Sequence, residues 1–341
     1  MSEKNSTILD RVWLEGTNEY QQRVPQASQA GIAQVAEFLF DPMNRMYLNQ
    51  FVDILVNRIG MTRINSMVWD NPWTWLKKGK LPFGSTVQDV GFEWIKAHSY
   101  EDDVTTLLEI NRPEIESAYY TINRRDQYLI STNYDELRNA FLDEYGLNRF
   151  INAITDVPVS SDNYDEFQCM KNLILERYTR DGFYEHVITV PTGASDADVA
   201  KMVLQAGRMF AAKFRFPSIY YNMVPIPAFT KSDESLVFLC TPETQAMLDV
   251  QALAAAFNRE DAAIKYRIEI IDEWPFTPAD GQTVQCIITT EDFFQVYDAL
   301  YTTTSFYNPQ TLTTNYYLTH WEVMAYSPFV PAVIIETEPA S

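Results

Sequence analysis

The sequence predicts an α+β protein in which one long helix joins two lobes. Residues 161–181 have the strongest helical pattern in the chain, because Phe167, Met170, Ile174 and Tyr178 recur at helical spacing. Strand-like alternation precedes this segment, and an α/β segment and further strands follow it. An ordinary core helix would show the same apolar stripe, so its joining role is an interpretation drawn from its position between the two lobes.

Both ends of this helix carry end signals. Asn163 is expected to cap its start, with Glu166 three residues later completing a capping box. Arg177 and Arg180 lie in the last turn, where cations suit the negative end of the helix dipole. Gly182 is expected at the C′ position, where a left-handed residue ends the helix.

Composition bounds the functions that the chain can have. Its 341 residues suffice for about two domains. Aromatic residues make up 14% of them, which indicates large rings on surfaces that something covers. Acidic residues number 46 and basic residues 26, so the formal net charge is −20. Such a chain is not typical of proteins that bind nucleic acid through its phosphates.

One segment superficially resembles a phosphate loop. Gly79 and Gly84 have the spacing of the glycines in that motif, but Ser85 occupies the position of the required lysine. Pro82 also removes one of the backbone N–H groups that would bind phosphate. The sequence therefore predicts no nucleotide site here.

Histidine and cysteine spacing does not indicate a metal or catalytic centre. The three histidines, His98, His186 and His320, have no second histidine or cysteine at helical spacing. His320 is interpreted as a strand residue beside an aromatic one. The three cysteines are far apart and are expected to be reduced, buried thiols: Cys169, Cys240 and Cys286. No residue is predicted to be catalytic, to bind a cofactor or to bind a metal.

The first part of the chain is predicted to contain an arm and several short elements. Residues 1–30 are polar and glutamine-rich and are expected to be extended. The N-terminus has no export signal, and no apolar run is long enough to span a membrane. The remaining predicted elements before the long helix are helices 32–40 and 45–59, a strand 62–69, and helices 134–145 and 147–154.

Residues 84–122 are predicted to form a long two-stranded hairpin. Val90, Phe92 and Trp94 alternate onto one face, and residues 98–103 form a polar tip. Because an isolated hairpin is marginally stable in water, this aromatic face needs a partner surface.

The second lobe, residues 183–290, is predicted to alternate strands and helices. Ser195 and Asp196 are expected to cap its first helix. The predicted strands are 184–190, 235–242, 267–272 and 283–289, and the predicted helices are 198–214 and 243–258. A strand-rich block, 306–336, follows.

Four stretches together resemble the major capsid proteins of small podoviruses of the phi-29-like group. They are FVDILVNRIGMTRINSMVWDNPWTWLKKGKLPFGSTVQDV (51–90), IESAYYTINRRDQYLISTNYDELRNAF (115–141), EDFFQVYDAL (291–300) and NPQTLTTNYYLTHWEVMAYSPFVPAV (308–333). No single stretch is a strict motif. The resemblance rests on their order and spacing over most of the chain.

The resemblance implies the tailed-phage capsid fold of the Hong Kong 97 type. In that fold, residues 1–57 would be the N-terminal arm and helices, 77–116 the E-loop hairpin and 183–283 the axial domain. The peripheral domain would hold the spine helix, 161–181, and would combine 58–76, 117–182 and 284–341. Some relatives carry an additional immunoglobulin-like domain after the last strands, and this chain is not expected to have one, since it stops at Ser341.

The resemblance also implies partners and a location. The chain would form hexamers and pentamers of an icosahedral or prolate head, with a scaffolding protein during assembly and a portal protein at one vertex. It would enclose double-stranded DNA without sequence-specific binding and assemble in the bacterial host cytoplasm. Lys96 is the only lysine on the hairpin proper, so the lysine–asparagine crosslink of the fold's prototype is not carried over.

Candidate inter-subunit contacts are the hairpin face and two basic clusters in this acidic chain. These residues are Val90, Phe92, Trp94, Lys77, Lys78, Lys80, Arg124 and Arg125. Two alternatives remain open. An encapsulin-like compartment shares the fold but would load protein cargo, and a soluble α+β enzyme would be a compact monomer.

Overall fold

The structure is a computed structural model that describes residues 5–59, 68–82, 86–95, 97, 112–142, 146–248, 267–279 and 281–340. The chain forms two units. Unit 1 comprises Met1–Pro72, Arg124–Glu166 and Asp298–Glu322. Unit 2 comprises Trp73–Asn123, Phe167–Tyr297 and Val323–Ser341.

The N-terminal segment of unit 1 is helical, which corrects the expectation of an extended arm. Ile8 and Leu9 lie about one turn before Val12, and all three are buried in the core of unit 1. The polar residues around them mask this spacing in the sequence. The helices of the segment are α1 (Asn5–Glu15), α2 (Asn18–Arg23), α3 (Ala27–Ala30), α4 (Ile32–Phe40) and α5 (Arg45–Ile59).

The predictions for α4 and α5 are confirmed. Asp41 ends α4 and uses its carboxylate to accept a hydrogen bond from the Met43 backbone N–H at 2.9 Å. Leu48, Phe51 and Val52 of α5 are buried. Most of the predicted strand 62–69 lies outside the described residues.

A four-stranded sheet follows the order β1-β9-β10-β4. Its strands are β1 (Gly79–Lys80), β4 (Arg124–Asn133), β9 (Phe294–Asn308) and β10 (Thr313–Tyr326). β4 and β10 are antiparallel, with Arg124 opposite Glu322. Because successive side chains of a strand point to opposite faces, the even-numbered residues of β4 are buried or half-buried and the odd-numbered ones are exposed.

The long helix begins earlier than predicted. After α6 (Tyr134–Leu142), α7 runs from Gly146 to Thr179 and merges the two predicted helices, with Pro158 inside it. The expected caps serve other purposes: Asn163 Nδ2 donates to the Trp69 carbonyl at 2.9 Å, and Glu166 Oε1 accepts from Asn71 Nδ2 at 2.8 Å.

The end of α7 differs from the prediction by one residue. Asp181 adopts the left-handed conformation, with φ 51°, and therefore takes the C′ position. The Asp181 N–H donates to the Tyr178 carbonyl at 3.0 Å and the Gly182 N–H to the Arg177 carbonyl at 2.9 Å. This is a Schellman motif with glycine at C″.

Unit 2 contains a mixed five-stranded sheet of order β5-β11-β8-β6-β7. Its strands are β5 (Tyr184–Val190), β6 (Leu236–Cys240), β7 (Arg267–Ile270), β8 (Thr283–Thr290) and β11 (Val333–Pro339). β11 runs parallel to β5 and antiparallel to β8. The sheet therefore includes β8 and β11, although the predicted domain bounds place nearly all of β8 and all of β11 in the peripheral segment 284–341.

Helix α8 (Asp196–Lys213) belongs to the same unit. It begins with the predicted Ser195 cap, and Asp198 completes a capping box. Val203, Phe210 and Phe214 lie in one apolar core with Phe238 and Ile288 of the sheet. Residues 242–248 are also helical, and the rest of the predicted helix 243–258 lies outside the described residues.

The predicted hairpin is present as β2 (Val87–Phe92) and β3 (Ile115–Tyr120), which pair antiparallel. Its predicted tip, 98–103, lies outside the described residues. None of the described helices combines the length and apolar character that crossing a membrane requires.

Candidate subunit interface

One face of the hairpin is anchored within unit 2. Asp89 Oδ2 accepts hydrogen bonds from Ser327 Oγ at 2.6 Å and from the Tyr120 hydroxyl at 3.2 Å. A Cβ on Gly91 would lie 2.8 Å from Phe329 Cδ1 and 2.9 Å from Ile226 Cδ1. Glycine therefore lets the strand approach these side chains closely.

The opposite face of the hairpin is exposed and apolar. Val90, Phe92, Ile115 and Tyr119 are 37%, 54%, 60% and 63% exposed. Phe92 lies opposite Ile115 in the register, so their side chains share one face. The other residues that β2 and β3 place on this face are Gln88 and Ser117, so the part of the face formed by these two strands carries no carboxylate in a chain of net charge −20.

Trp94 follows β2 and differs from the two apolar residues before it. Its ring is 55% exposed, and it meets Phe229 edge-to-face with the ring centroids 6.1 Å apart. Trp94 therefore has an aromatic neighbour in its own unit, whereas Val90 and Phe92 point away from that unit.

The lysine cluster lies at the entry to the hairpin. Lys78 Nζ forms an ion pair with Asp292 Oδ1 at 2.7 Å, and the Lys78 N–H donates to the Val296 carbonyl at 2.9 Å. Lys77 is half-buried, and Lys80 is exposed in β1. Lys78 thus has a carboxylate partner within its own chain.

The two adjacent arginines separate onto opposite faces of β4. Arg125 is exposed, and its guanidinium lies 5.1 Å from the centroid of the Trp321 ring. Arg124 is buried and binds Asp162 at 2.8 Å and Asp126 at 2.6 Å. Since it offers no exposed cation, we remove Arg124 from the candidate inter-subunit contacts.

The Arg124 cation is stabilised by its surroundings. It also contacts the buried Glu322 carboxylate through Nη1. Burial acts to lower the pKa of Arg124, but the carboxylates of Glu322, Asp126 and Asp162 outweigh burial and raise it. This cluster was missed by the sequence reasoning. The sequence feature that indicates it is the alternation of residues in β10, which places His320 and Glu322 on one face of the strand.

Three described residues of the cluster come close enough to be tested as a metal site. Donor atoms of Glu166, His320 and Glu322 lie within 4.8 Å of one another. The set does not fit a metal, because Glu322 binds the Arg124 guanidinium and both nitrogens of His320 face carboxylates. We therefore interpret the cluster as an internal ionic network of unit 1.

Comparison with known proteins gives matches over nearly the whole chain. The family described as Phi29-like phage major capsid protein matches residues 10–336. The chain is 27% identical over 333 residues to the major capsid protein of Bacillus phage B103, which covers 97% of this chain and 72% of that one. It is 24% identical over 343 residues to that of Streptococcus phage Cp-1, covering 95% and 92%.

Solved structures show the same fold. A capsid structure of Staphylococcus phage Andhra superposes with a TM-score of 0.62 at 12% identity, covering 82% of this chain and 88% of that one. The α+β arrangement is therefore the Hong Kong 97-type capsid fold. The family match makes the protein a component of a tailed-phage virion. These matches give no support to the encapsulin-like alternative. The chain belongs to the family of Phi29-like phage major capsid proteins.

Proposed function

We propose that this capsid subunit assembles by burying the exposed hairpin face on a neighbouring subunit. The observation that carries this proposal is the asymmetry of the hairpin. Its Asp89 and Gly91 face is packed within unit 2, while the face with Phe92 and Ile115 is exposed. An exposed patch of large apolar side chains commonly marks an interaction site.

Charge supports the same choice of surface. Two copies of a chain with net charge −20 repel each other. A contact between them therefore favours surfaces without carboxylates, and the part of the hairpin face that β2 and β3 form meets this condition. Each fully buried Phe or Ile side chain contributes about 1.5–3 kcal/mol before the costs of association are subtracted.

In the proposed assembly the subunits form hexamers and pentamers of an icosahedral or prolate head. A separate scaffolding protein directs assembly in the host cytoplasm, and a portal protein occupies one vertex. Many weak contacts of this kind close a stable shell. Lys77, Lys78, Lys80, Val90, Phe92, Trp94 and Arg125 remain the proposed contact residues.

The packaged DNA is held by enclosure in this proposal. The net charge of the chain opposes tight binding of phosphates, and Arg124 is buried in its own unit. The unassembled subunit should therefore bind duplex DNA weakly and without sequence preference, as measured by gel shift. A steep salt dependence of a tight complex would contradict this part of the proposal.

The assembly proposal is tested with paired substitutions. Phe92→Ala and Ile115→Ala should leave the melting temperature of the unassembled subunit nearly unchanged and greatly reduce the yield of closed shells in electron micrographs. Phe216→Ala is the matched control, because Phe216 is also an exposed phenylalanine but lies outside the hairpin. Shell yields equal to wild type for both hairpin variants would overturn the proposal.

A further inference from the structure

His320 lies at the centre of the ionic network of unit 1. It is buried on β10 and faces two other elements. Its Nδ1 lies 2.8 Å from Oδ2 of Asp162 on α7, and its Nε2 lies 3.3 Å from Oδ1 of Asp298 on β9. Nε2 also lies 3.3 Å from Oε1 of Glu322 on its own strand.

This geometry specifies the protonation state of the ring. A neutral imidazole has one N–H donor, whereas the protonated ring has two. Both ring nitrogens face ionisable carboxylates, which accept but do not donate when charged. Only the doubly protonated His320 therefore satisfies Asp162 and Asp298 together.

The surrounding charges favour the same state. The charged groups that face this network are Asp162, Asp165 and Glu166 on α7, Asp298 on β9, Arg124 and Asp126 on β4, and Glu322 on β10. Tyr301 packs edge-to-face on the His320 ring with the centroids 4.9 Å apart, and Tyr128 donates to Asp165. Among these groups Arg124 is the only other cation, so loss of the His320 proton would leave buried negative charge in excess.

We infer that the proton on His320 is an ionic latch that fastens the first half of α7 to strand β10, and that alkaline titration of His320 releases it. With the ring neutral, one nitrogen lone pair faces a carboxylate oxygen. In either tautomer the ionic attraction between the ring and Asp162 is lost. With the proton on Nδ1 a neutral hydrogen bond to Asp162 remains, whereas with the proton on Nε2 the lone pair faces Asp162, which then keeps its ion pair with Arg124.

The direction of the effect follows from the shift of the titration. Burial acts to lower the pKa of His320, but hydrogen bonds to Asp162 and Asp298 and the charge of Glu322 raise it from 6.5 to about 9. The folded chain therefore holds a proton that the unfolded chain releases near pH 6.5. The stabilisation is complete below pH 6.5 and is lost as the pH rises to about 9.

The first test is a histidine titration of the full, unassembled chain by NMR. His186→Gln and His98→Gln assign two of the three histidine signals, and the remaining one is His320. His186 is a matched internal control, because burial and the charge of Lys213 lower its pKa below 6.5. We expect His320 to titrate near pH 9. Titration of His320 at or below pH 6.5 would overturn the inference.

The second test is the pH dependence of melting. The melting temperature of the wild type should fall between pH 6.5 and 9. The fall should be much smaller for His320→Gln, whereas His186→Gln should show the same fall as the wild type. An unchanged slope in a folded His320→Gln protein would overturn the latch. If that variant does not fold, the NMR titration of the wild-type ring decides the question.

Discussion

Arg124 and Asp162 form a buried ion pair that joins strand β4 to helix α7, with Nη2 and Oδ1 2.8 Å apart. Both side chains are nearly inaccessible to solvent. The adjacent Arg125 lies on the other face of the strand. The ion pair is therefore internal to unit 1, and Arg125 provides a matched comparison for Arg124.

Arg124→Met should strongly destabilise the subunit. Removing one partner of a buried ion pair leaves an uncompensated charge, which costs about 3–5 kcal/mol. Arg125→Met should cost about 0.5–1 kcal/mol, the usual value of an exposed cation–π contact. Denaturant unfolding of both variants measures the difference, and equal losses would contradict this account of the two arginines.

Gly91→Ala should loosen the packing of β2 against the side chains of Phe329 and Ile226. Its Cβ would lie within 3 Å of Phe329 and Ile226 side-chain atoms. Forcing an additional methyl group into such a packed site costs about 1–3 kcal/mol. The free energy of unfolding measures the loss.

A double-mutant cycle gives the control for Gly91. Ile226→Val removes one of the two crowding atoms, so the double variant should recover part of the stability lost by Gly91→Ala. Strictly additive losses in the cycle would show that the crowding does not act through Ile226.

The thiols should differ in reactivity. Cys240 and Cys286 are fully buried, and burial raises the pKa of the Cys286 thiol. Cys169 is half-buried in α7. A thiol reagent at neutral pH should modify Cys169 first and the other two only after unfolding. Cys169→Ser should remove the reactivity of the native protein, and rapid modification of two thiols in that variant would contradict the structure.

Local periodicity was sufficient to predict several elements. The alternation of residues 87–92 gave the hairpin, and the apolar spacing of Leu48, Phe51 and Val52 gave α5. The Ser195 cap gave the start of α8. These signals lie within a few residues of each other, so the sequence displays them directly.

Contacts between distant segments were not predictable from such patterns. β11 pairs with β5 across about 150 residues, and no local signal in residues 333–339 identifies that partner. The predicted helices 147–154 and 161–181 are one continuous helix, α7, which also runs through Pro158. The sequence does not distinguish Arg124 from Arg125. The pairing of β4 with β10 buries Arg124 and leaves Arg125 exposed.

A cryo-EM reconstruction of the assembled shell tests most directly whether the exposed hairpin face is buried on a neighbouring subunit. In the isolated subunit Phe92 and Ile115 are more than half exposed. We predict that in the shell both side chains are buried against a neighbouring subunit at every hexamer position. A shell in which this face remains open to solvent would contradict the claim.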